Sequence, residues 1–155
     1  MEKPSWVPVV LSGALPRGAT DLLAIFTMAI VSVGFSLDPT QYVLVSGIWL
    51  QFVTIALVSV LASHSDTARK LREELALIAY GGSGWQIWLR YFVRGLACAL
   101  LATSPFLYLE YARRIFVSES IVISTLTASI IGGFSYAAPS LARIRSREFA
   151  ENYKS

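Results

Sequence analysis

The chain has 155 residues, 55% of them hydrophobic and only 15% charged, with net charge +3 and a mean hydropathy of +0.58. Soluble domains carry roughly 25% charged residues and must wet a large surface, so this composition excludes an ordinary soluble enzyme; a disordered chain, which would be polar and poor in aromatics, is excluded too. A single cysteine (Cys98) rules out an internal disulfide or a Cys-based zinc site, and a single histidine (His64) rules out a His-cluster metal site, which leaves a small all-α integral membrane protein with no cofactor.

The first 18 residues carry Pro4, Pro8 and Pro16 and no continuous apolar core, so they read as a lead-in and not as a secretory signal. Four apolar stretches follow, and a spanning helix needs about 20 residues. The predicted spans cover about 20–37, 41–64, 86–111 and 119–142. They are rich in Val, Ile and Thr, yet an unpaired strand cannot cross lipid, because every backbone polar group must be bonded internally. In span two, Gln51 is expected to bond a neighbouring helix. In span three, Ser104-Pro105 removes a backbone donor and predicts a kink. Near its end Glu110 is spaced to partner Arg113 or Arg114. In span four, Gly132 and Gly133 let another helix approach closely, either from this chain or from a second copy.

Between spans two and three the sequence predicts an amphipathic helix over about 66–80. Ser65 or Asp66 can cap its first turn. Ala68, Leu71, Leu75 and Ile78 share one face; Arg69, Arg72, Glu73 and Ala76 share another. Arg69 with Glu73, and Lys70 with Glu74, are four apart and can pair. Gly81 and Gly82 then end the helix. Arg90 and Arg94 lie one turn apart at the start of span three, placed to reach headgroups or to line a cavity.

The positive charges orient the chain. With the N-terminus cytoplasmic, 11 of the 13 Lys and Arg residues fall on the inner side, and only Arg113 and Arg114 fall outside. Both termini are then cytoplasmic, in a plasma-membrane protein with four spans and an inner tail over 143–155. This distribution accounts for the net charge without a nucleic-acid partner and favours contact with anionic lipid. Gly81-Gly82-Ser83-Gly84 lacks the lysine of a phosphate-binding loop, so the chain has no nucleotide site of its own and is not expected to be an enzyme.

The order of these residues resembles the FtsX/MacB-type ABC transporter permease domain over about residues 41–152. The resemblance is carried by Lys70-x-Arg72-Glu73-Glu74, the apolar run to Tyr80, Gly81, and Gln86-Ile87 opening span three. At the other end it is carried by Gly132-Gly133, Pro139, Ala142-Arg143 and Arg147-Glu148-Phe149. Only Asp38-Pro39-Thr40 joins spans one and two, where family members usually insert a large extracytoplasmic domain, so this is a minimal form. The resemblance implies that 66–80 is a coupling helix seated on a cytoplasmic ABC ATPase dimer, through Arg69, Lys70, Arg72, Glu73, Glu74, Leu75, Ile78 and Gly81. It also implies a second permease copy or a related subunit, because one four-span chain is half a transporter. The apolar spans with scattered Ser and Thr suit a lipid-like cargo. The competing reading is a non-transporting membrane scaffold or accessory subunit of another complex, paired through Gly132, Gly133 and Gln51.

Overall fold

The computed structural model describes residues 18–37, 46–65, 67–79, 82–113 and 119–152, together with Pro8, Gly13, Leu15 and Pro16. Most of the lead-in, the Asp38-Pro39-Thr40 turn, Asp66, Tyr80, Gly81 and Arg114 therefore lie outside the described residues. The described chain is helical: α1 Ala19–Leu37, α2 Ser46–His64, α3 Thr67–Ala79, α4 Gly84–Arg113 and α5 Glu119–Asn152. Helix α5 continues through most of the predicted tail over 143–155, as far as Asn152. No glycine or proline follows Pro139, and Ala, Leu, Arg and Glu in that stretch are all good helix formers.

Local chemistry sets the helix ends. Gly18 adopts a φ of 111° immediately before α1, a conformation that a side chain would oppose. At the end of α3 the Gly82 N–H reaches back five residues to the Leu77 carbonyl (2.8 Å), a Schellman-type ending. A Cβ on Gly82 would lie 2.7 Å from that same carbonyl oxygen, so the stop requires glycine. Helix α4 opens with one half of a capping box: Gln86 Oε1 accepts from the Ser83 N–H (2.8 Å), while the Gln86 N–H donates to the Ser83 backbone carbonyl in a tight first turn (3.0 Å). Inside α4, Pro105 has no N–H to give the Leu101 carbonyl, and the Ser104 hydroxyl donates to that oxygen instead (2.8 Å).

Helices α4 and α5 make the most extensive contact; α1 lies on α4, α2 lies on α5, and an α1–α2 contact closes a four-helix ring. The α4–α5 seam is built from small residues. A Cβ on Gly132 would stand 2.7 Å from the Ala99 Cβ, and one on Gly133 would stand 2.9 Å from the Phe92 ring. From the α4 side, a Cβ on Gly95 would overlap the Cβ of Tyr136 and lie 2.8 Å from the Gly132 carbonyl oxygen. The partner of Gly132-Gly133 is thus α4 of the same chain.

The ring interior combines an apolar core, with Met28, Ile55, Ile87, Cys98 and Ala99 fully enclosed, and buried polar groups: Ser32, Ser59, Thr103, Thr125, Ser129 and Ser140, along with Asp21, Arg94 and Glu110. The outside carries stripes at four-residue spacing: Trp49, Val53, Leu57 and Leu61 on α2, and Val122, Leu126, Ile130 and Phe134 on α5. Apolar surface on this scale meets a partner or a membrane. Buried hydroxyls bond mostly within their own helices, as Thr103 does to the Ala99 carbonyl (2.9 Å) and Ser129 to the Thr125 carbonyl (2.8 Å). The Gln51 amide crosses to Ser32 Oγ (3.3 Å) and ties α2 to α1. Two stretches, Gly84–Arg113 and Ile121–Arg143, are long and apolar enough to cross a membrane; the apolar stretches Ala19–Gly34 and Trp49–His64 are shorter.

Candidate functional site

Helix α3 sits at the end of the ring where α1 and α4 begin, α2 ends and the last third of α5 passes. On a soluble bundle, a surface helix would turn its leucines toward the core. Here the charges point in. Lys70 and Glu74 are 5% and 1% exposed, while Leu71, Leu75 and Ile78 are 36%, 51% and 42% exposed and Arg72 is open to the surroundings. The reason is that this end of the ring is rich in groups needing a partner. The last carbonyls of α2 have no successor turn to bond, and a buried charge is tolerated only when paired and hydrogen-bonded.

Lys70 and Glu74 meet that demand one helical turn apart. The Lys70 ammonium donates to the Ala62 and Ser63 carbonyls (2.5 and 3.1 Å), at the C-terminal end of α2 where the helix dipole favours a cation. It also stands 5.1 Å above the centre of the Tyr136 ring, within cation–π range. Glu74 Oε1 accepts two bonds from Arg143 of α5, from Nε (3.1 Å) and Nη2 (2.9 Å). The Arg143 guanidinium lies 5.8 Å from the centre of the Tyr91 ring. Glu73 pairs with Arg90 of α4 at 3.5 Å, in a more exposed position where an ion pair contributes little. These side-chain bonds, more than close backbone packing, attach α3 to the ring.

Deeper in the ring lies a second group. The Tyr136 hydroxyl donates to Asp21 Oδ1 (2.7 Å), and Arg94 Nε stands 3.1 Å from Asp21 Oδ2. The Asp21 and Arg94 side chains are 2% and 5% exposed. Asp21 occupies the first turn of α1, where the helix N-terminus favours a carboxylate. The two groups meet at Tyr136, whose ring lies under Lys70 and whose hydroxyl reaches Asp21. Tyr91 and Tyr136 also face each other, with ring centres 6.3 Å apart.

The structure thus divides the residues singled out from the sequence. Lys70, Glu73 and Glu74 join the ring, whereas Arg72, Leu75 and Ile78 face outward. The Arg69 side chain and Gly81 lie outside the described residues. Gly132, Gly133 and Gln51 serve helix packing. Asp21 and Tyr136 are not among the residues singled out from the sequence. The available signal was an acid at one apolar helix terminus and an arginine inside another, since charges at such depth pair with each other. Among the described residues no three His, Cys, Asp or Glu side chains converge as a metal site requires. Comparison of the chain with family models, curated proteins and solved structures finds no match.

Proposed function

We propose that this chain is the membrane permease subunit of an ABC-type transporter, with α3 as the element that engages a separate cytoplasmic ATPase dimer. On this reading α1, α2, α4 and α5 are four spans in the cell membrane, both termini are cytoplasmic, and a second copy or related subunit completes the transporter. The observation that carries the reading is the attachment of α3. A helix that transmits force must be fixed to what it moves and must present a free face to what drives it. Lys70, Glu73 and Glu74 fix α3 to α2, α4 and α5. Leu71, Arg72, Leu75 and Ile78 remain on the outside for a partner. That face, apolar with one cation, suits an apolar groove bearing a carboxylate. The outward apolar stripes and the small-residue seam support the membrane setting, because lipid imposes no penalty on outward leucines while small and hydroxyl residues let helices meet closely. It also suits a lipid-like or amphipathic substrate.

The test is purification of the full chain in mild detergent. The wild-type chain is expected to carry an ATPase subunit and to stimulate its hydrolysis. The double variant Arg72→Glu, Leu75→Asp is expected to lose both while keeping its melting temperature. An ATPase retained by that variant, or never carried by the wild type, overturns the proposal.

A further inference from the structure

We infer that Lys70, Tyr136, Asp21 and Arg94 form a relay through which the position of α3 sets how tightly α1 is held to the rest of the ring. The inference rests on the reading of α3 as a transmitting helix and says where its motion goes.

The relay is contiguous, and each of α1, α2, α4 and α5 contributes to it. Lys70 of α3 is bonded to the end of α2 and covers the ring of Tyr136 in α5; the Tyr136 hydroxyl reaches Asp21 of α1; Asp21 meets Arg94 of α4. Helices α1 and α5 face each other across the ring instead of packing side by side. The Tyr136–Asp21 bond is therefore a cross-brace. The Tyr136 Cβ abuts Gly95, so the backbone that carries the ring is held against α4. A cation over the ring draws density from the phenol and strengthens its donation to Asp21, and buried hydrogen-bond chains reinforce one another. Pulling Lys70 back removes that reinforcement and loosens the bond from Tyr136 that helps hold Asp21. The Glu74–Arg143 pair, in contrast, ties α3 to α5 without touching α1. A displacement of α3 by a partner would thus reach α1 through Lys70, opening the ring between α1 and its neighbours.

The experiment is hydrogen exchange of the full chain in lipid nanodiscs, with no ATPase present. Lys70→Met is expected to speed exchange of the α1 amides after Asp21 by roughly two- to threefold, since it weakens the Tyr136–Asp21 bond without removing it. Tyr136→Phe keeps the ring under Lys70 and removes the hydroxyl, so it is expected to speed α1 more strongly, by about tenfold, while leaving α3 unchanged. In the Tyr136→Phe background, adding Lys70→Met should have no further effect on α1. Additive effects would show a general loss of stability and would overturn the relay. So would an α1 unmoved by Tyr136→Phe, a readout that stands even if Lys70→Met does not fold. Because no ATPase is involved, the relay can fail while α3 still engages one, or hold while the transporter reading fails.

Discussion

At the residue scale the decisive feature is the pairing of Asp21 with Arg94 inside the ring. Breaking a buried ion pair by removing one partner costs far more than the pair itself contributes, because the remaining charge has nowhere to go. Arg94→Met leaves the Asp21 carboxylate buried with only its other partners and is expected to cost about 3–5 kcal/mol of stability. Adding Asp21→Asn to Arg94→Met removes the stranded charge and keeps an acceptor for Tyr136, so the double variant should melt above Arg94→Met in detergent. A double variant melting below the single one would contradict this account. Little of this was legible beforehand. The sequence marks Arg94 as a charge in a span, but Asp21 lies 73 positions away and Tyr136 lies 42 beyond Arg94, and nothing local pairs them.

At the element scale the α4–α5 seam and the exposed part of α1 set opposite rules for glycine. Gly95 faces a backbone carbonyl and the Cβ of Tyr136, neither of which can yield without separating the helices. Gly95→Ala is expected to cost about 1–3 kcal/mol through overpacking. Gly34 in α1 has nothing within 4 Å of an added Cβ, so Gly34→Ala is expected to be neutral or to stabilise by up to about 1 kcal/mol through helix propensity. Thermal unfolding of the two variants in one detergent checks both signs. Helix α3 shows how far an element is legible. Its span and its glycine stop follow from charge spacing and from Gly82, which are local. Its orientation does not: periodicity separates a leucine face from a charged face, but which face turns inward depends on the orphan carbonyls of α2 and on Arg143 of α5.

At the scale of the whole molecule, the proposed four-span arrangement makes a labelling prediction. In a Cys98→Ala background, Ser83→Cys should be protected from a membrane-impermeant thiol reagent in intact cells, and Arg113→Cys should react. Ser83 and Arg113 lie at opposite ends of α4 and are both exposed, so reaction at Ser83 with protection at Arg113 would invert the orientation. Equal reaction at both would remove α4 from the membrane.

By itself, the sequence determined that the described chain is helical and that two of its stretches are long and apolar enough to cross a membrane. Scarcity of charge and long apolar runs are properties of neighbouring residues, and they act through the solvent those residues can tolerate. The tertiary structure decided which charges are buried, that Gly132 and Gly133 pack on α4, and that α3 turns Lys70 and Glu74 inward. Those outcomes depend on groups from separate helices satisfying one another in a space without water. Such pairing is set by the closure of the ring and not by the spacing along any one helix.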